Sequence, residues 1–143
     1  MIYLIGSLRN PEVPILANRI RLLGYDVFDD WFAAGEKADD AWRDYEVGRG
    51  HNLQQALDGY AAGHVFEFDK YHLDKSDIGV LVLPAGKSGH LELGYLIGRG
   101  CDSYILYPSE PERFDVMYLL TNKVFDSTDE LLQTLQIRLG LDK

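Results

Sequence analysis

Cysteine is nearly absent from this chain: Cys101 is the only one in 143 residues. A lone thiol excludes an internal disulfide and a cysteine-built metal site. Long apolar runs are missing as well, and no stretch approaches the roughly 20 residues that a membrane-spanning helix needs. The opening residues, MIYLIGSLRN, are apolar only briefly, too short for a signal-peptide core and suited to a buried first strand. These absences make a cytoplasmic protein with no membrane partner the expectation. Positive charge is also scarce, with 14 Lys and Arg against 23 Asp and Glu and a net charge of −9. That balance opposes a nucleic-acid polymer as partner, because such affinity comes mainly from neutralised phosphates. A small anionic ligand stays open wherever a few arginines gather.

Two glycine signatures are missing too. No G-x-G-x-x-G follows the first apolar run and there is no P-loop, which argues against the usual dinucleotide and nucleoside-triphosphate folds. The four histidines, His51, His64, His72 and His90, form no metal pattern. His64 and His72 could share a helix face, but no third ligand accompanies them, so neither a metal nor a cofactor is expected.

What is present is an ordinary globular composition, 46% hydrophobic and 26% charged. At this length one domain spanning 1–143 can bury roughly 70% of its unfolded surface. Residues 1–6 read as a central parallel strand. Ser7, Leu8 and Arg9 form the next turn, with Asn10 as helix N-cap, Pro11 in the first helical position and Glu12 beside the positive helix end. Val13, Leu16, Ile20 and Leu23 recur at helical spacing up to a stop at Gly24. Tyr25 to Phe28 is a second strand. The acidic and aromatic stretch from Asp29 to His51 reads as a partly helical lid, since a loop of that length in a small domain is more often functional than idle.

From Asn52 to about Asp74 the periodicity predicts a helix whose apolar face comprises Leu53, Ala56, Leu57, Tyr60, Ala61, Val65, Phe68 and Leu73, with a bend near Gly59 and Gly63. Ile78 to Leu83 is a strand covered on both faces, followed by the turn PAGKSG and a helix from about His90 to Gly98. Ser103 to Tyr107 is a further strand, Phe114 to Leu119 a short helix and Lys123 to Phe125 a last short strand. Ser127 with Glu130 is a capping-box pair opening a terminal helix that stops at Gly140. This alternation predicts a single doubly wound α/β domain, flavodoxin-like or Rossmann-like, with a mostly parallel sheet of about five strands.

Parallel sheets collect functional groups at the carboxyl ends of their strands. On this layout Ser7 to Arg9, Asp77, and Ser88 with Glu92 are expected at one edge. Each also has a plainer reading: Glu92 as a solvated acid near a helix start, Tyr3 as a core aromatic, Asp77 as the opening of a strand, Arg9 as a surface charge.

The segments IYLIGSLRN and SDIGVLVLPAGKSGHLELGYLIGRG resemble the nucleoside 2-deoxyribosyltransferase superfamily, including its nucleotide N-glycosidase branch. The resemblance covers roughly residues 1–107. It rests on a tyrosine in the first strand (Tyr3), an acidic residue opening a later strand (Asp77), and the Glu92-Leu93-Gly94-Tyr95 run. It implies that Glu92 attacks an anomeric carbon, that Tyr3 orients its carboxylate, and that Asp77 assists departure of the base. It further implies a 5′-phosphate site built from Gly6, Ser7, Arg9 and backbone amides, with Ser88 as a second hydroxyl, four residues before Glu92 where the nucleotide branch has a longer spacing. Trp31, Phe32 and Trp42 offer flat surfaces for a nucleobase or for ordinary packing. The expected ligand is a nucleoside or nucleoside 5′-monophosphate, and the expected assembly a homodimer or larger homo-oligomer, with Tyr104, Tyr107 and Phe114 in the 102–117 region as its interface. A non-catalytic nucleotide-binding or sensing module and a glycohydrolase acting on NAD-type dinucleotides remain the alternatives.

Overall fold

The computed structural model describes residues 1–141. Five short strands form its centre: β1 (Ile2–Ile5), β2 (Val27–Phe28), β3 (Ile78–Val82), β4 (Asp102–Leu106) and β5 (Lys123–Phe125). They pair in the order β2-β1-β3-β4-β5, every pair parallel, which is the flavodoxin-like doubly wound order. β1 and β3 are buried throughout, as expected for strands made of continuous apolar residues and covered on both sides.

Six helices complete the described fold: α1 (Glu12–Leu23), α2 (Ala38–Gly48), α3 (Leu53–Leu57), α4 (Tyr60–Lys75), α5 (Lys87–Gly98) and α6 (Thr128–Leu141). Strand alternation divides the core. Ile2, Leu4, Val80 and Val82 pack with Val13, Leu16 and Ile20 of α1 and Leu131 and Leu135 of α6. Tyr3, Ile5 and Leu81 point the other way, toward Leu73 of α4 and Leu93 and Leu96 of α5. Gly79 sets how closely α5 approaches: a Cβ there would lie 2.7 Å from Leu96 Cδ1 and 3.2 Å from Leu93 Cδ1. Since Gly79 is the register partner of Tyr3, the missing side chain brings α5 down beside the tyrosine.

Several local signals read from the sequence have their physical counterpart. Asn10 Oδ1 accepts the Glu12 N–H at 3.1 Å, although α1 opens one residue later than expected, with Pro11 and not Asn10 at the N-cap position, and Gly24, at a φ of 113°, ends α1. Ser127 Oγ accepts the Glu130 N–H at 3.3 Å. The terminal helix runs through Gly140 rather than stopping there. The single helix expected over 52–74 is two. Asn52 and Gln55 form a reciprocal capping box that opens α3, and Gly59, in extended conformation, breaks the chain and starts α4. The lid becomes a 3₁₀ turn (Asp30–Ala34) followed by α2. A second 3₁₀ turn, Val116–Leu120, occupies the place of the short helix expected at 114–119.

Two expectations about surface are corrected. Tyr104 is buried against Phe125, ring centroids 5.9 Å apart, because β4 is an inner strand, so it is unavailable as an interface residue. The apolar face of α3 and α4 is not core: Leu53, Leu57, Tyr60, Val65, Phe66, Phe68 and Tyr71 are exposed, and only Ala56 and Leu73 are buried on these two helices. Among the described residues no helix is long and apolar enough to cross a membrane.

Candidate active site

Tyr3 and Glu92 meet because β1 and α5 are packed on each other. Gly89, Leu93 and Leu96 are the buried residues of α5, and a Cβ on Gly89 would lie 2.9 Å from Ile5 Cγ2. Glu92, directly before Leu93, stands half-buried on the flank of that packed stripe. The Tyr3 hydroxyl faces its carboxylate, near enough for a hydrogen-bonding interaction to act on both groups. Burial, reinforced by the negative charge of Glu92, holds the Tyr3 phenol well above its ordinary range, so it is a permanent donor. Burial pushes Glu92 up to about 7, with the Tyr3 hydrogen bond pulling it down and the charge of Asp69 raising it.

Asp69 is the functional candidate that sequence reasoning missed. It lies on α4, close enough to act electrostatically on both Tyr3 and Glu92, and burial raises its own proton affinity while His72 lowers it. His72 shares a helix face with Asp69 at a spacing of three. Its ring stacks on Phe28 at 3.9 Å and 13°, and its Nδ1–H donates to the Phe68 carbonyl at 2.8 Å. Phe28 also meets Tyr3 at 5.0 Å and Phe68 at 5.8 Å. The result is a hydroxyl and two carboxyls walled by aromatics. In the sequence Asp69 looks like one more acid on a solvated helix face; the usable signal was Phe68-Asp69 with His72 one turn on.

Asp77 is not brought into this group. It precedes β3 and therefore stands at the amino-terminal edge of the sheet, where Oδ1 accepts from the Met1 amino group at 3.0 Å and the side chain is 66% exposed. The expectation that it shares an edge with the turn after β1 is corrected by strand polarity alone.

The turn after β1 lies at the carboxyl edge. Gly6 lets α1 close in, since a Cβ there would sit 2.8 Å from Val13 Cγ2. Ser7 Oγ accepts the Arg9 N–H at 3.1 Å, and the Arg9 guanidinium reaches Asp40 of α2 at 3.5 Å, both side chains about 70% exposed. A cavity of about 390 Å³ opens there, lined by Arg9, Glu36, Lys37, Asp40, Ala41 and Asp44. Trp31 does not line this cavity: its indole N–H donates to the Leu4 carbonyl at 2.8 Å and the ring packs against both halves of the core. Ser88 is exposed in the first turn of α5, one helical turn before Glu92. In the same turn His90 donates from Nδ1 to the Gly86 carbonyl at 2.8 Å and accepts the Tyr118 hydroxyl proton at Nε2, 2.9 Å away. That bond ties the 116–120 turn to the helix carrying Glu92.

The start of α2 is open to this cavity, and its far end is anchored by a buried acid. Glu46 Oε2 lies 2.7 Å from His51 Nδ1. Among the described residues no group of three or more His, Cys, Asp or Glu is placed to hold a metal ion.

No family model matches the chain, and no curated protein matches it significantly in sequence. Solved structures do match in shape. A 2-deoxyribosyltransferase from Bacillus psychrosaccharolyticus superposes with a TM-score of 0.62 at 18% identity over 94% of both chains. A conserved protein from Enterococcus faecalis V583 gives 0.65 at 16% identity, over 96% of this chain and 97% of that one. A CMP N-glycosidase from Clostridium botulinum gives 0.56 at 12% identity, over 94% and 98%. Across essentially its whole length, this protein has the fold shared by a deoxyribosyltransferase and an N-glycosidase.

Proposed function

We propose that the protein cleaves or transfers at the N-glycosidic bond of a nucleoside or nucleoside 5′-monophosphate, with Glu92 as nucleophile. The observation that carries the reading is the convergence of Tyr3, Asp69 and Glu92 from three separate elements onto one aromatic-walled spot. Two carboxyls held at raised proton affinity, one of them facing a buried phenol, are a costly arrangement for stability and a useful one for displacement at carbon. The shape likeness to enzymes named for this chemistry supports the same reading.

In the proposed reaction a Glu92 oxygen attacks the anomeric carbon, and the bond to the base nitrogen breaks with its electron pair leaving on the base. Tyr3 keeps the attacking oxygen oriented and favours its ionised form. Asp69 replaces Asp77 as the acid: its carboxyl, whose proton affinity burial raises, is protonated in the productive state and passes its proton to the departing base. The glycosyl ester on Glu92 is then attacked by water or by a second base, releasing the carboxylate. Hydrolysis and transfer share the first step and differ in which nucleophile the site admits second.

A homo-oligomer is part of this proposal, with its interface on α3 and α4 rather than at 102–117. The exposed Val65, Phe66, Phe68 and Tyr71 flank Asp69, so a second copy docked there would also shield the site from water.

The test is incubation with a panel of nucleosides and nucleotides, with released base followed by chromatography. Base release that disappears in Glu92→Ala supports the reading; binding without release from any of them, unaffected by Glu92→Ala, contradicts it.

A further inference from the structure

This inference rests on the proposed reaction and concerns how its two carboxyls are held. We propose that Tyr95 and Arg99 are positioning residues: they clamp α4 against α5 and so fix the separation of Asp69 and Glu92. Apolar packing within the chain leaves that separation loose, because Leu73 is the only buried residue among those described on α4. On its β2 side α4 is held ring on ring, through Phe68 and His72 on Phe28. On its α5 side the contacts are polar and directional. The Tyr95 hydroxyl donates to Asp74 Oδ1, while Lys70 Nζ donates to Asp74 Oδ2 at 2.8 Å from within α4. The Arg99 guanidinium bridges the end of α4, donating to the Leu73 carbonyl at 2.9 Å and the Asp74 carbonyl at 3.0 Å and reaching the Ser76 carbonyl at 3.5 Å. Leu73 and Asp74 lie in the last turn of α4, whose carbonyls lack the usual partner one turn on, and a guanidinium fork suits them in geometry and in charge.

Spacing carries the clamp to the site. Glu92, Tyr95 and Arg99 stand three and four residues apart along α5 and its C-cap, which places them on one stripe. Opposite them, Asp69 acts on Glu92, Asp74 meets Tyr95 and the Ser76 carbonyl meets Arg99, so the two helices run side by side in the same direction with matched steps. From Asp69 to Ser76 and from Glu92 to Arg99 is seven residues on either helix, about 10 Å at helical rise. Slippage of α4 by a fraction of a turn therefore carries Asp69 away from Glu92, and a 1 Å error in a reacting geometry costs up to about 10²-fold in rate. Two cations steady the Tyr95 ring, with Lys70 Nζ 5.4 Å and Arg99 Cζ 5.8 Å from its centroid. Hydrogen bonds from Lys70 and then from Tyr95 hold the Asp74 carboxyl below its ordinary range, which keeps it an acceptor at neutral pH.

The experiment uses Tyr95→Phe, which keeps the ring and deletes the donor, and the Tyr95→Phe, Arg99→Lys double variant, which also keeps the charge but loses the fork. Arg21→Lys is the control, since Arg21 makes the same kind of bridge from α1 to the Val27 carbonyl and Asp29. The titration of Glu92 is followed by the carbon-13 shift of its carboxyl in the ligand-free protein, and base release gives kcat and KM. Loosening α4 admits water to Glu92 and relieves the burial that raises its proton affinity. Its midpoint should fall by about half a pH unit in Tyr95→Phe and about one unit in the double variant, and stay unmoved in Arg21→Lys whatever happens to thermal stability. In the same two variants kcat should fall by about threefold and about tenfold, with KM within about twofold of wild type. An unmoved Glu92 midpoint, an equal fall in Arg21→Lys, or an unmoved kcat overturns the inference while leaving the glycosidic reaction standing. If wild type releases base from no compound, the reaction itself fails and the titration decides: a midpoint that falls supports the clamp, and one that stays overturns it. Should the double variant not fold, Tyr95→Phe decides by the same criteria.

Discussion

The hydroxyl of Tyr3, on the first strand, faces the carboxylate of Glu92, on the second turn of α5, across 89 residues of sequence, and each group acts on the proton affinity of the other. Tyr3 belongs to the core, whereas Glu92 is a half-buried carboxyl on its flank. A phenol and a carboxyl are withdrawn from water together, and the carboxyl is left with a proton affinity far above that of a solvated glutamate. The pairing defines a site whose protonation behaviour is measurable.

The first consequence is a pH-dependent stability. Glu92 is pushed from an ordinary value near 4.5 up to about 7, so the folded state holds its proton more tightly than the unfolded chain does. Its contribution is therefore fully present below about 4.5 and is lost as pH rises through 7, amounting to about 2–3 kcal/mol. Glu92→Gln should remove that slope, raising the thermal midpoint relative to wild type at pH 8 and not at pH 4, while turnover falls by about 10³-fold or more. Parallel midpoint curves for the two proteins across that range would count against the buried-carboxyl description.

Tyr3→Phe keeps the ring that packs on Phe28 and deletes only the donor. Because that hydrogen bond lowers the proton affinity of Glu92, its loss should move the acid limb of the kcat/KM profile to higher pH, with a fall of about 10²-fold at the optimum. An unmoved limb would mean the hydroxyl does not act on Glu92.

Asp69→Asn deletes the proton donor, so the rate should drop by about 10²-fold or more and the basic limb of the kcat/KM profile, set by loss of the Asp69 proton, should disappear. The loss should shrink for substrates whose base leaves without needing a proton. Asp77→Asn, at the opposite edge of the sheet, should change turnover by no more than about twofold. The reverse ranking of the two variants would restore Asp77 and remove Asp69 from the reaction.

The elements that were legible in the sequence are those set by local pattern. The apolar runs of β1 and β3, the Asn10 turn, the Gly24 stop and the glutamate on the helix after β3 each depend on residues within a turn or two, and the α/β alternation follows from them. Asp69 carries no local signal of its place near Tyr3 and Glu92, because that place comes from α4 crossing Phe28 of β2 and facing a helix that comes later in the chain. Local pattern shows which strand Asp77 borders, and strand direction is what puts it at the amino-terminal edge, beside the Met1 amino group. Periodicity identified the apolar face of α4 without indicating what covers it, because an amphipathic pattern is the same whether the covering body is the chain's own core or another molecule. Gly79 gave no signal at all; its importance appears only with Leu93 and Leu96 lying over it.

That apolar face gives a further expected outcome. Phe66, 62% exposed on α4, contributes to a cluster that a second copy should bury. Phe66→Glu should convert an oligomeric wild type to monomer in light scattering and raise KM, leaving Tyr3, Asp69 and Glu92 in place. A wild-type protein that is monomeric at high concentration would end the assignment of this face to self-association.

The central claim is that Glu92 becomes covalently attached to the sugar, and intact-mass spectrometry of a rapidly quenched reaction tests it most directly. With a nucleoside substrate, the expected spectrum contains enzyme heavier by one glycosyl group, and peptide mapping locates the addition on Glu92. Released base with no adduct at any quench time, together with undiminished turnover by Glu92→Gln, would contradict it.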